Sequence, residues 1–136
     1  MKLNFKLLSL LLMVFVVVSC SKYEEGGISI LTKKARLCKT WKPVRYIYKN
    51  GTSTTNVDKG LIELKKDQTA NWTIYMGSTP VIATGNWNFI NDKAGLNINV
   101  TAFGFNLNND YEIVRLEAKD LRVRDKDGTV ICLIPA

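Results

Sequence analysis

The sequence predicts an all-β domain of about eight short strands in an antiparallel barrel or sandwich, with one short helix ahead of them. Two observations carry this. From Thr40 onward, apolar and polar residues alternate with period two, the spacing that sends successive side chains to opposite faces of a strand. Turn-forming pairs interrupt the alternation at short intervals, among them Asn50-Gly51, Asp67-Gln68, Lys119-Asp120 and Asp127-Gly128, and Asp-Gly is a strong hairpin signal.

Each element follows in order. Ile28 to Cys38 is the one plausible helix, with Thr32 able to cap it and Lys33, Lys34 and Arg36 on its wet side. Thr40 to Lys49 reads as the first strand, and Pro43 implies an edge or a bulge there. Thr52 to Lys59 is polar and reads as loop. Leu61 to Lys66 alternates again. The clearest strand follows, with Ala70, Trp72, Ile74 and Met76 on one face and Asn71, Thr73 and Tyr75 on the other. Gly77 to Pro80 reads as a turn. Val81 to Ile90 places Trp87 and Phe89 together, and Leu96, Ile98 and Val100 alternate after the turn at Asn91 to Gly95. Ala102 to Asp110 is rich in Gly and Asn and reads as a loop with an apolar part, Phe103, Phe105 and Leu107. Tyr111 to Leu116, Leu121 to Arg124 and Thr129 to Ile134 complete the set. A chain of short strands must hide its edges, and full closure does that.

Ahead of the domain, residues 1–19 have the form of an export signal. Lys2 and Lys6 precede Leu7 to Val18, an apolar run broken only by Ser9. That run is shorter than the ~20 residues of a membrane span and fits the ~7–15 of a signal core. Val17-Val18-Ser19-Cys20 closes it and resembles the bacterial lipobox. The resemblance implies cleavage before Cys20 and acylation of that residue, whose chains anchor a protein to a membrane without a spanning helix. Residues 20–27 are then a lipidated tether, and 28–136 the domain. Ser21 lacks the Asp of an inner-membrane retention signal, and Lys22-Tyr23-Glu24-Glu25 loosely resembles an acidic surface-export tract. The expected location is the cell envelope at the outer membrane, on its periplasmic face or at the cell surface.

Removing residues 1–19 from the 136 leaves 117, one domain's worth. Lys2 and Lys6 leave with the signal, so the basic count falls from 19 to 17 against 12 acidic residues, a net charge near +5. The basic residues alternate with apolar ones as on a solvated sheet face, without the clustered, aromatic-interleaved patch of nucleic-acid binders. Arg115, Lys119, Arg122 and Arg124 read the same way, and no nucleic-acid partner is expected.

The short helix running into Lys39-Thr40-Trp41-Lys42 resembles the opening of bacterial lipocalin-like lipoproteins, in which a Gly-x-Trp stands at the first strand. Trp41 matches and Lys39 stands where the Gly would be. Asp67-Gln68-Thr69, Gly85-Asn86-Trp87 and the spacing through Tyr111, Leu116 and Leu121 to Asp127-Gly128 extend the resemblance over Leu31 to Ile134. It implies an eight-stranded up-and-down barrel of lipocalin type with a short N-terminal helix, and no enzymatic activity. Closure pairs the first strand with the last, which could bring Cys38 close to Cys132. A disulfide between them and a pair of buried thiols both stand as readings.

The residues supply little for catalysis. There is no His, which excludes Ser-His-Asp and Cys-His arrangements and His-ligated zinc. Cys38 and Cys132 lack the spacing of a thiolate metal site, and no Gly-rich phosphate loop is present. Asp125 and Asp127, like Asn108 to Asp110, read as turn residues and not as a Ca²⁺ loop, which needs more oxygen ligands at fixed spacing. No catalytic residue, metal or cofactor is expected.

Trp72, Trp87, Phe89 and Tyr111 are expected to point inward with Ile74, Ile98 and Val100. An eight-stranded barrel holds one small ligand or fills itself with side chains. Few small residues lie on the inward faces, which favours a filled or narrow interior. The ligand reading makes Trp72, Trp87, Phe89, Phe103 and Tyr111 the lining for a small apolar or amphipathic molecule. The other reading makes the chain a packed protein-interaction module, an inhibitor or an envelope-assembly accessory, with Phe103 and Phe105 as its anchor. In either case the expectation is a monomer, held at the membrane through Cys20.

Overall fold

The computed structural model describes residues 31–136; the signal, the lipobox with Cys20 and the tether lie outside these. Among the described residues one short helix, α1 (Lys33–Leu37), is followed by nine strands: β1 (Thr40–Ile47), β2 (Ser53–Thr54), β3 (Leu61–Leu64), β4 (Thr69–Met76), β5 (Thr79–Ile90), β6 (Gly95–Ala102), β7 (Phe105–Leu116), β8 (Leu121–Arg124) and β9 (Val130–Pro135). From β3 to β9 each strand pairs antiparallel with the next, and β1 pairs with both β3 and β9. The sheet is therefore a closed eight-stranded up-and-down barrel, with β2 as an extra strand on the end of β1.

Within the described residues of its expected span, the helix runs from Lys33 to Leu37. Thr32 caps it, its hydroxyl accepting from the Ala35 N–H at 3.1 Å, which satisfies one of the donors a helix N-terminus leaves open. The chain leaves the helix at Cys38 and enters β1 within two residues. Arg36 is almost fully buried, and its Nη1 donates to the Leu116 carbonyl at 3.1 Å. The Lys39 ammonium donates to the Ala118 carbonyl at 2.5 Å. These two bonds pin α1 over the barrel end where β1, β4, β6 and β8 begin. The opposite end carries the hairpin turns β4–β5, β6–β7 and β8–β9.

Lys39 also lies over the Trp41 ring, 5.2 Å from its centroid. A cation thus covers the indole at the position where the lipocalin pattern has Gly, and Trp41 is still fully buried.

Register decides which residues face inward. Trp72 pairs with Ala83, Gly85 with Val100, Trp87 with Ile98, and Leu96 with Tyr111, so these alternate positions share the inner face. The buried cluster contains Leu37, Trp41, Leu64, Trp87, Leu96, Val100, Ile113, Leu116 and Leu133, all at most 2% exposed. Fully burying side chains of this size stabilises by ~1.5–3 kcal/mol each. Trp41 and Trp87 spend their indole N–H groups on the carbonyls of Leu37 and Lys65, both at 2.8 Å. The helix end of the barrel is filled and hydrogen-bonded.

Three expectations are corrected. Ala102 to Asp110 is not a loop. It is a tight turn, Phe103-Gly104 with φ of 49° and 75°, followed by the first half of the twelve-residue β7. Two consecutive left-handed residues give the two-residue turn whose twist matches a hairpin. Asn and Asp are poor strand formers in general, but here their side chains bond across the outer face. Asn97 donates to Asn108 and Asp110, both at 2.7 Å, and Asn106 donates to Asn99 at 2.8 Å and Thr101 at 3.1 Å.

The polar loop 52–59 contains β2, paired with Tyr46 and Ile47, and Thr79 and Pro80 belong to β5 instead of a turn.

Of the two readings left open for Cys38 and Cys132, the structure has free thiols. Cys132 sits opposite Arg45 and Arg122 on the outer face. Arg45 lies four residues beyond Trp41, roughly 13 Å at 3.3 Å per residue, and Cys38 lies further still beyond the strand's other end. A bridge needs Cα atoms within ~7 Å. Closure does pair the first strand with the last, but at a register that holds the two thiols apart.

Candidate functional site

The interior is filled at one end only. Toward the hairpin end a cavity of about 270 Å³ remains, lined by apolar residues from almost every strand, including Ile62, Trp72, Ile74, Ile98, Val123 and Ile131. Its existence follows from how β1 spends its two edges. One edge pairs with β9 from Trp41 to Ile47. The other pairs with β3 only at Thr40 and Trp41, and with β2 only at Tyr46 and Ile47. β4 in turn pairs with β3 only as far as Thr73. A seam is left between β1 and the end of β4, and residues 55–60 cross it. The exposed Asp58, Lys59 and Tyr75 line the cavity there with Gly60, so the cavity reaches solvent at this seam.

Tyr46 holds the crossing segment. Its hydroxyl donates to Asp58 Oδ2 at 3.0 Å and accepts from the Asp58 N–H at 3.3 Å. Gly60 packs closely, since a methyl built on it would lie 3.0 Å from the Thr73 carbonyl and 3.5 Å from Trp72 Nε1. That contact also places the Trp72 indole nitrogen at the seam.

Tyr111 is 9% exposed and reaches the cavity from β7. Burial first, then the Asp125 carboxylate, then Tyr46, push its phenol up to about 12. Burial and the Asp125 carboxylate, the two largest causes, both penalise a further negative charge here. Tyr111 also borders a polar recess of about 530 Å³ formed by Asn97, Asn108, Asp110, Asp125 and Asp127. Asp125 is committed to its own turn, with Oδ1 accepting from the N–H groups of Asp127 at 2.9 Å and Thr129 at 3.0 Å.

Of the expected lining residues, the structure brings Trp72 and Tyr111 into the cavity wall. Trp87 and Phe89 pack edge to face at 5.3 Å in the filled half. Phe103 stands on the β6–β7 turn, 77% exposed, outside the cavity. Tyr46, Asp58, Lys59 and Gly60 were not expected. Alternation from Trp41 and Pro43 predicts Arg45 inside, but a bulge between Pro43 and Arg45 shifts the register and turns Tyr46 inward. Pro43 was the available signal.

The three arginines of the basic face are paired. Arg115 bonds Glu117 and sits 3.0 Å from Asp120; Arg122 lies 3.2 Å from Asp120 and Arg124 2.6 Å from Glu112. Both thiols are pushed up by burial, which disfavours the thiolate that nucleophilic attack needs. Among the described residues no three His, Cys, Asp or Glu side chains group as metal ligands.

No family model and no curated protein matches the chain. Solved structures do. The chain is similar to a lipocalin-like protein from Bacteroides uniformis, with a TM-score of 0.60 and 18% identity over 74% of this chain and 99% of that one. The fold is lipocalin-like. An uncharacterized protein from Bacteroides eggerthii has the same architecture, with a TM-score of 0.56 and 14% identity over 73% of this chain and 98% of that one. At these identities the likeness is one of fold. In lipocalin-like terms, α1 sits over the filled end of the barrel, and the cavity lies toward the other end.

Proposed function

We propose that this protein is a non-enzymatic envelope lipoprotein that binds a small apolar or amphipathic molecule inside its lipocalin-like barrel. Cys20 would carry the lipid that holds it at the outer membrane. The observation supporting this most directly is the apolar cavity of about 270 Å³ that opens at the β1–β4 seam. Eight-stranded barrels have room for one such ligand, and ligand sites are typically apolar clefts with a few placed polar groups.

The test is native mass spectrometry on the protein released gently from its own envelope. The expected result is a reproducible added mass that disappears in Trp72→Ala. A bare mass in the unaltered protein would refute the reading. Trp72 is the residue to change, because Trp87 packs in the filled half, where its loss disturbs the fold.

A second reading is a protein-interaction module. It rests on Phe103 and Phe105, both 77% exposed on the β6–β7 hairpin, since large exposed apolar side chains mark contact sites. Loss of a crosslinked partner on Phe103→Ser, with the cavity unaffected, would favour it.

A further inference from the structure

The cavity holds two hydrogen-bond donors that the fold does not use. Of the three indoles, Trp41 and Trp87 donate to backbone carbonyls. Trp72, which lines the cavity, has no hydrogen-bond partner among the described residues. Of the two tyrosines in the wall that reach inward, Tyr46 is bonded to Asp58. Tyr111, nine-tenths buried, has no hydrogen-bond partner among the described residues either. Trp72 is half-buried, and neither donor atom is sealed from accessible space, so water meets both donors until an acceptor replaces it.

The rest of the wall is almost wholly apolar, and its charged members, Asp58 and Lys59, are opposite in sign and sit at the seam. Size narrows the choice further. About 270 Å³ is less than twice the ~150 Å³ of an engineered apolar cavity that takes up benzene. That suits a body of one or two rings and excludes long-chain lipids and macrocycles from full enclosure.

We infer that the cavity selects an uncharged molecule of one or two rings bearing a carbonyl or ether oxygen, which accepts hydrogen bonds from Tyr111 Oη and Trp72 Nε1. This rests on reading the cavity as a ligand site. The environment that keeps the Tyr111 phenol neutral also opposes a carboxylate or phosphate in the same place. A neutral acceptor meets the donors without that penalty.

The experiment titrates the full chain, and its Tyr111→Phe and Trp72→Phe variants, with three matched probes by calorimetry. Acetylnaphthalene offers the ketone, ethylnaphthalene the same body without an acceptor, and naphthoate the anion. The expected result is that each variant weakens acetylnaphthalene by roughly three- to tenfold, the worth of one hydrogen bond. Ethylnaphthalene should lose less than the ketone in each variant, circular dichroism matching that of the unaltered chain shows the variants to be folded, and naphthoate should bind weakest throughout. Equal loss of the ketone and the hydrocarbon in both variants would overturn the inference while leaving a ligand site in place. Tightest binding by naphthoate would overturn it in favour of an anion. Failure of every probe to bind the unaltered chain would remove the ligand-site reading and this inference with it.

Discussion

Tyr111 gives a stability change that can be worked from the structure. Its phenol is pushed up to about 12 in the folded protein, chiefly by burial and next by the Asp125 carboxylate, against ~10 in an unfolded chain. The fold therefore favours the neutral form. Below about pH 10 the phenol is protonated in both states and its contribution to stability is fully present. As pH rises past 10, the unfolded chain gives up its proton first, and stability falls by about 1.4 kcal/mol per unit until the folded phenol ionises. By about pH 11.5 the loss amounts to about 2 kcal/mol. Tyr111→Phe keeps the ring and has no proton to lose, so it should escape this part of the decline. Urea denaturation of both proteins at about pH 9 and about pH 11.5 measures it. The unaltered protein should lose about 2 kcal/mol more than the variant between the two conditions. Equal losses would mean that Tyr111 ionises as it does in the unfolded chain, and the burial of its phenol argued for above would be wrong.

Other perturbations follow from single contacts. A methyl on Gly85 would stand 2.0 Å from the Asn99 carbonyl oxygen, so Gly85→Ala must part β5 from β6. It should cost ~1–3 kcal/mol and lower the melting temperature by several degrees; an unchanged melt would deny that close approach. Arg36→Ala removes buried packing and the bond to the Leu116 carbonyl. Thermal melts should show a loss of roughly 2–3 kcal/mol, with hydrogen exchange rising first in α1 and the end of β7. Thr32→Ala should cost about 1 kcal/mol through the lost helix cap, read by the same melts. Because Cys38 and Cys132 are free, intact mass and denaturation midpoint should both be unchanged by a reductant, and a mass gain of two hydrogens on reduction would contradict the fold's register.

The strands that the sequence made legible are those whose side-chain period follows burial without interruption. Ala70, Trp72, Ile74 and Met76 alternate cleanly with polar partners, and β4 ran where that pattern put it, one residue longer at Thr69. The first half of β7 was hidden because its outer face is Asn and Asp, residues that signal turns when read singly. Their pairing with Asn97, Asn99 and Thr101 is a relation between two strands, which no local window contains. The inward turn of Tyr46 was hidden for a related reason. One extra residue at the Pro43 bulge reverses every later side chain on β1, and Pro43 marks an irregularity without stating its direction. For the same reason, closure could be argued from the need to hide edges, while the register that separates Cys38 from Cys132 could not.

The cavity itself depends on strand lengths more than on composition. β3 contributes four residues and β4 eight, so β4 outruns its neighbour and leaves an unpaired edge facing β1. Bare strand edges invite pairing with other chains, and here residues 55–60 cover that edge, fixed by the Tyr46–Asp58 contacts. A loop can cover an edge without filling the space beneath it: Asp58 and Lys59 line the cavity but stay exposed at the seam, and Gly60 has no side chain to send inward. At the other end the demand is met differently: Trp41 and Trp87 fill the barrel and give their N–H groups to the chain's own carbonyls. The same residue type at Trp72 makes no hydrogen bond among the described residues, and its indole nitrogen stands beside Gly60 at the seam. A packed module would have no use for that asymmetry, whereas a binding barrel needs one end firm and the other unfinished.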